Sequence, residues 1–364
     1  MIYKVLGLMS GSSLDGVDIA FVNFKETAGK WTYELLAANC FPYTVEWKDK
    51  LQGSCSLPAY EYLLLHSEYG HYLGKMINNF IITNKIDHQV ALIGSHGHTT
   101  FHVPHLGMTH QLGDGAAIAA ETGLAVVSDL RSLDVALGGQ GAPIVPMGEK
   151  ILFSEFPLLL NIGGIANLSA RVNDSYIAFD ICPANKILNS LTLTVGLEFD
   201  EDGKLSSGGT VCNPLLEELN ALSYYKEKYP KSLSNEFGSR VVYPLITKFA
   251  LSPQDALATY VEHIAEQIDF HIGQLSVHAP NQSPLQLLVT GGGAFNSYLL
   301  GRIREKVFKQ GIEIVIPEAG LIKYKEAIIM ALLGLLRWRE ENTIATSVSG
   351  ASRESIGGAL WQGS

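Results

Sequence analysis

Residues 7–18 read Gly-Leu-Met-Ser-Gly-Ser-Ser-Leu-Asp-Gly-Val-Asp and lie between two short apolar runs, 2–6 and 19–24. That layout predicts a hairpin whose turn carries main-chain amides and the hydroxyls of Ser12 and Ser13. Glycine lets a phosphate approach such a turn closely, and amides and hydroxyls donate to it. Asp15 and Asp18 would repel a bare anion. A phosphate here needs a divalent cation between, as a nucleotide polyphosphate carries. The same residues also suit an ordinary polar hairpin tip.

Asp180 closes an apolar run, 176–179, with Cys182, Pro183 and Asn185 following as a bent connection. The carboxyl ends of strands are where α/β folds present reactive groups. Asp180 is there either a general base or a turn or helix-capping aspartate. His96, His98, His102, His105 and His110 fall close together. A His-x-His pair invites a metal, but Thr100 stands where such sites commonly add an aspartate, and no cysteine is near. On a strand His96 and His98 share a face, which suits a hydrogen-bonding pocket wall.

Gly291-Gly292-Gly293 joins a strand, 285–289, to a helix beginning near Asn296. The glycines allow either a tight turn or an adenine and ribose against bare backbone, with a helix N-terminus near a phosphate. Their spacing matches neither the dinucleotide fingerprint nor the P-loop. Arg131, between Asp129 and Asp134, is an anion site or part of a surface ion-pair network. Glu262, His263 and Glu266 lack the second histidine of a zinc helix and read as a solvated face.

The elements that position these groups repeat. Runs 2–8, 19–24 and 31–39 read as strands and 60–84 as a helix, with Leu63, Leu64, Tyr69, Leu73, Met76, Ile77 and Phe80 on its apolar side. A strand at 90–93, a helix at 114–122 and a strand at 125–127 follow. After the glycine-rich loop 138–143 the plan restarts, with strands at 157–162, 166–170 and 176–179. Helices are expected at 213–229, 252–271 and 324–339, the second opened by Ser252 and Pro253. Two α/β domains of similar plan follow from this repetition, although the halves share no evident sequence identity.

A chain of 364 residues exceeds what one core usually serves. A formal charge of −10 argues against nucleic acid as a partner. Cys40, Cys55, Cys182 and Cys212 show no paired spacing and suit a reducing compartment. The N-terminus carries no signal-peptide pattern, and the apolar run 327–336 is too short to span a bilayer. A soluble cytoplasmic protein without a membrane partner is expected.

Together the motifs resemble one family, the anhydro-N-acetylmuramic acid kinases. The resemblance runs in order through residues 7–18, Ser95-His96-Gly97, Gln111-Leu112-Gly113-Asp114, Gly138-Gly139-Gln140-Gly141-Ala142-Pro143 and the stretch 160–167, Leu-Asn-Ile-Gly-Gly-Ile-Ala-Asn. It continues through Phe179-Asp180, Gly291-Gly292-Gly293 and Lys325-Glu326-Ala327 and covers nearly the whole chain.

The resemblance implies two ribonuclease-H-like domains around a central nucleotide cleft, as in sugar kinases, actin and heat-shock ATPases. The first would hold residues 1–128 plus about 342–364, the second 129–341. It implies ATP and Mg²⁺, with Gly11, Ser12, Ser13, Leu14, Asp15, Gly16, Val17, Asp18, Asn161, Gly163, Gly164 and Asn167 on the phosphates. Gly291, Gly292 and Gly293 would lie near adenosine. Asp15 or Asp18 would face the metal, directly or through water. Ser10, His96, Asp129, Arg131 and Glu326 would contact the sugar, and Asp180 would be the catalytic base. A homodimer of cell-wall recycling is implied, opening a 1,6-anhydro bridge with water while phosphorylating the released oxygen.

The chain departs from the family at Ile181, Cys182 and Ala184, where the pattern Phe-Asp-Thr-Gly-Pro-Gly-Asn loses two glycines. His98, Phe295 and Gly115 replace a usual glutamine, histidine and proline. A kinase of another anhydro sugar such as levoglucosan, a nucleotide-binding relative without sugar chemistry, and a histidine-based metal hydrolase are the alternatives.

Overall fold

The computed structural model describes residues 1–11, 14–173, 175–277 and 284–363, so Ser12 and Ser13 lie outside the described residues. The chain divides into two compact units, Met1–Ser154 with Tyr324–Ser364, and Glu155–Lys323. Among the described residues no helix is long and apolar enough to cross a membrane.

In the first unit β1 (Ile2–Ser10), β2 (Gly16–Thr27) and β3 (Lys30–Pro42) form an antiparallel meander. β4 (Leu92–Ser95) lies parallel to β1, and β7 (Val126–Ser128) parallel to β4. The C-terminal strand Ala359–Trp361 closes the far edge, giving the order C-terminal strand, β7, β4, β1, β2, β3. Between β4 and β7, β5 (His98–Val103) and β6 (Met108–Leu112) make a separate ribbon. Helices α1 (Val45–Gly53), α2 (Ala59–Asn84), α3 (Gly115–Thr122), α4 (Ser132–Ala136) and α5 (Val145–Leu152) belong to the same unit.

The apolar face of α2 is Tyr62, Leu65, Tyr69, Leu73, Ile77 and Phe80, at helical spacing. Leu63 and Leu64, expected on that face, are 61% and 50% exposed. The aromatic residues set the stripe, and the leucine pair falls beside it. Asp114 caps α3 by accepting from the Ala116 N–H.

The helix Ala319–Trp338 packs backbone against backbone on the sheet. A Cβ at Gly7 would lie 1.9 Å from the Ala327 carbonyl oxygen, and one at Gly94 2.2 Å from that of Met330. Neither obstacle is a movable side chain. Gly7→Ala is therefore expected to destabilise the unit by about 3 kcal/mol, read as a lower urea midpoint at unchanged slope. A midpoint equal to wild type would refute this close approach.

Residues 129–154 and 324–341, expected in the second domain, sit with the first unit. α5 packs on β3, the Phe153 ring stands edge-on to Tyr33 at 5.7 Å, and Lys325 is ion-paired to Glu149. The glycine-rich loop 138–143 is thus internal to a unit.

The second unit repeats the plan. β8 (Leu158–Ile162), β9 (Ile165–Val172) and β10 (Ser175–Pro183) are antiparallel, and β11 (Leu285–Thr290) and β12 (Ile312–Val315) run parallel to β8. The order β10-β9-β8-β11-β12 equals β3-β2-β1-β4-β7 of the first unit. This is the ribonuclease-H-like arrangement, made twice by one mixed α/β chain. Helices α6 (Asn185–Leu193), α7 (Lys204–Ser207), α8 (Asn213–Asn220), α9 (Asn235–Phe237), α10 (Tyr243–Thr247), α11 (Pro253–Gly273) and α12 (Ser297–Val307) complete it.

Three expectations change here. The helix expected over 213–229 stops at Asn220, because Leu222 takes an extended backbone before a short turn over Ser223–Lys226. The expected solvated face of α11 is interior: His263 is fully buried and bonded through Nδ1 to Asn220 Oδ1, and Glu262 is paired with Arg302 and Lys306. β10 does not end at Asp180 but continues to Pro183, with a bulge between Asp180 and Cys182. Asp180 is therefore inside a strand, at the irregularity that re-aims it.

Candidate active site

In the second unit the ladder register aligns a polar row across otherwise apolar strands. Thr290 of β11 pairs with Asn161 of β8, Asn161 with Asn167 of β9, and Asn167 with Asp180 of β10. Paired residues share a face of the sheet, so these four side chains stand in line. At one end the β8–β9 turn holds Gly163 and Gly164. Cβ atoms there would meet nothing nearer than 3.5 Å and 3.8 Å. Packing does not demand these glycines, and the space is what an approaching ligand needs.

Gly291 and Gly293 differ. A Cβ at Gly291, whose φ is +80°, would sit 2.7 Å from the Ile162 carbonyl oxygen, and one at Gly293 2.3 Å from Ile162 Cγ2. The fold itself requires both, and only Gly292 has room, 3.5 Å from Asn185 Nδ2. Asn185 holds the β8–β9 turn twice: its N–H donates to Gly163 O at 3.0 Å and its side-chain amide to Ile162 O at 3.0 Å.

Asp180 is half-buried. Its Oδ2 accepts from the Leu233 N–H at 2.8 Å and the Ser232 hydroxyl at 3.1 Å. Among the described residues no donor reaches Oδ1. Burial pushes the carboxyl above the ordinary aspartate value, against those two donors and Lys231, which pull it down. Lying inside β10, Asp180 is not a helix cap.

The first unit presents the other residues. Ser10, expected at the sugar, is buried, and its hydroxyl is bonded to those of Tyr43 at 2.6 Å and Tyr69 at 2.9 Å. Gly16 is required by the Phe41 carbonyl oxygen, 2.3 Å from its would-be Cβ, and Val17 is core. Any ligand contact from either is through backbone. Gly11 and Leu14 flank the tip, Leu14 with a left-handed φ of 58°. Asp18 bonds the Cys40 thiol, and burial first, with Glu326 and Asp15 adding repulsion, raises it to about 6. Among the described residues no three His, Cys, Asp or Glu side chains gather to hold a metal by themselves.

His96 donates its Nδ1–H to Gly97 O at 2.7 Å and accepts from Arg131 Nε at 2.9 Å. Burial and the guanidinium lower it to about 3, so it is neutral. With both ring nitrogens engaged, His96 orients Arg131 and has no nitrogen left for a sugar. Arg131 also donates through Nη1 to Gly141 O, and Asp134 accepts from the Gly141 N–H. The loop 138–143 thus holds an arginine in place; it is not a surface ion-pair network. Burial lowers Arg131 to about 10, and it remains a cation at neutral pH, sensing Glu326 and Asp134. Glu326 is raised by burial, with Lys325 and Arg131 opposing. Asp129 is exposed and accepts from the Ser132 hydroxyl, with no direct pair to Arg131.

His98 acts electrostatically on His96, and His102 senses Arg131 and lies near Gly141. His102 bonds Thr109 Oγ1 and His110 bonds the Tyr62 hydroxyl. Residues missed from the sequence include Ser232 and Leu233, which carry no local signal. Asn185 was read only as part of the bent connection after Asp180, and its hold on the β8–β9 turn is seen only in the structure.

The family model for anhydro-N-acetylmuramic acid kinase matches residues 3–363. An anhydro-N-acetylmuramic acid kinase of Shewanella amazonensis is 34% identical, over 97% of this chain and 97% of its own. Those of Haemophilus influenzae, at 32% over 98% of this chain and 97% of theirs, and Trichormus variabilis, at 33% over 99% and 97%, are similar. A polar row beside Asp180, a buffered arginine and end-to-end similarity agree: this chain belongs to the anhydro-N-acetylmuramic acid kinase family.

Proposed function

We propose that this protein uses ATP to open the 1,6-anhydro bridge of anhydro-N-acetylmuramic acid with water and to phosphorylate O6. The product is N-acetylmuramic acid 6-phosphate. The observation that carries this reading is Asp180, with Oδ2 held by two donors and Oδ1 without one. Oδ1 takes a proton from water as the water oxygen bonds the anomeric carbon. The anomeric C–O6 bond breaks, and O6 bonds the γ-phosphorus of ATP as ADP leaves.

Asn161, Asn167 and the open glycines Gly163 and Gly164 support nucleotide phosphate binding in the second unit, and the Gly11–Asp18 hairpin does so in the first. Asp18, raised by burial and by Glu326 and Asp15, gains from a nearby cation, which fits a nucleotide-borne Mg²⁺ reached directly or through water. Mg²⁺, when bound, offsets charge on the phosphoryl oxygens. Arg131 supplies a fixed cation for the substrate's carboxylate, with Glu326 and Asp129 toward sugar hydroxyls. A cytoplasmic homodimer acting in cell-wall recycling is part of the same reading.

Incubation with ATP, Mg²⁺ and anhydro-N-acetylmuramic acid is expected to release ADP and form the 6-phosphate in equal amounts. Levoglucosan, which offers Arg131 no carboxylate, is expected to react at least tenfold more slowly. ADP release that does not depend on the muramic sugar would sink the proposal.

A further inference from the structure

We infer that Ser232 is a positioning residue for Asp180, fixing one carboxylate oxygen so that the other is presented to the attacking water. This rests on Asp180 being the base. The segment 229–233 runs along the outer edge of β10, where among the described residues no further strand pairs. There the Asp180 N–H donates to Lys231 O at 3.2 Å, and the Tyr224 hydroxyl donates to Asp180 O at 2.7 Å. With the two bonds to Oδ2, both main-chain groups and one carboxylate oxygen are gripped by one stretch of chain.

The grip is itself anchored. Lys231 Nζ donates to Tyr224 O at 3.0 Å and to the lone pair of His271 Nε2 at 2.8 Å, and lies over the Tyr224 ring at 4.2 Å. His271 donates its Nδ1–H to Gln267 O, so the segment is bound to α11. Ser232, by contrast, is exposed and contributes nothing to the core. Its hydroxyl has one visible task, the bond to Asp180. The ionisable groups facing Asp180 are Lys231 on the segment, Tyr224 before it and Cys182 on its own strand. Tyr224 and Cys182 are pushed up by burial and stay neutral. Lys231 is lowered by burial to about 8 and stays charged across the acid limb, so the response of Asp180 to losing the serine is read on that limb.

The hydroxyl favours the charged carboxylate, so removing it raises the value at which Asp180 protonates. The test is the pH profile of sugar-dependent ADP release for Ser232→Ala and Ser232→Thr, with Asp180→Asn alongside. In Ser232→Ala the acid limb of kcat/KM is expected to move up by about half a pH unit. Its kcat is expected to fall about tenfold, the equivalent of one hydrogen bond to a charged group. KM for ATP and for the sugar stay within about twofold, and Ser232→Thr regains most of the rate. A Ser232→Ala enzyme with wild-type kcat and acid limb, beside an inactive Asp180→Asn, overturns the positioning role and leaves the base intact. Turnover retained in Asp180→Asn overturns the base reading itself.

Discussion

Asp180→Asn is expected to lower sugar-dependent ADP release by roughly 10²- to 10⁴-fold, the span that a positioned general base contributes. The substitution keeps the shape of the side chain. An amide oriented with its carbonyl toward Leu233 N–H and Ser232 still satisfies both donors, so the bulge in β10 should survive. What is lost is the lone pair at the Oδ1 position, where an NH₂ group now stands and cannot accept a proton. Because the defect is in proton transfer, KM for either substrate should change little and the far-ultraviolet circular dichroism not at all. For the wild type the pH dependence follows from the same group. Burial raises Asp180, so activity should fall as the pH drops through a carboxylate value above the ordinary one. An Asp180→Asn enzyme within a few fold of wild type would remove Asp180 from the chemistry.

The second large effect is on stability. Lys325 and Glu149 form an ion pair at 2.7 Å with each side chain only 3% exposed, joining the helix Ala319–Trp338 to α5. Truncating one partner leaves the other buried charge without this counter-ion, which typically costs about 3–5 kcal/mol. Lys325→Met is therefore expected to lower the midpoint of thermal unfolding by roughly 10 °C. The double variant Lys325→Met, Glu149→Leu should recover most of the loss, since both charges of the pair are then gone. The pair is next to Glu326, so the single variant should also weaken sugar binding through the displaced carboxylate. If the single and double variants melt together, the penalty lies in packing and not in the lost counter-ion.

Much of the architecture was visible in the sequence because it is local. The alternation of apolar runs with Gly-rich turns marked both meanders, and Ser252-Pro253 and Asn296 marked helix starts that the structure keeps. Helix faces were less legible. The stripe on α2 is carried by Tyr62, Leu65 and Tyr69, and Leu63 and Leu64 both fall outside it, exposed. Asp180 and Pro183 looked like strand terminators, because a bulge keeps the pairing going without a regular pattern to announce it. The polar row Thr290-Asn161-Asn167-Asp180 depends on the register of four strands, which no local pattern carries.

The candidate site divides the same way. Its glycines and carboxylates were legible as residue types, but their tasks were not. Which glycine is required by packing, as Gly291 and Gly293 are, and which leaves space, as Gly163 and Gly164 do, is decided by neighbours distant in sequence. That both nitrogens of His96 are engaged by Gly97 and Arg131 is likewise decided by residues distant from it in sequence or by the local backbone.

The discontinuity of the first unit bears on how the chain reaches its folded state during synthesis. Glu155–Lys323 is one uninterrupted stretch and has all its strands once that stretch is made. Met1–Ser154 has its meander early, yet it waits for Tyr324–Ser364 to supply the helix that Gly7 and Gly94 accommodate and the strand that pairs with β7. Until then β7 is an open edge, able to recruit a strand from another nascent chain. The unit that begins first on the ribosome is completed last, and its closing contacts span the whole length of the insert. Such long-range closure is slow. A chain stalled before Ala359 would hold a finished second unit and a first unit with an unpaired sheet edge, the form most exposed to aggregation and to proteolysis.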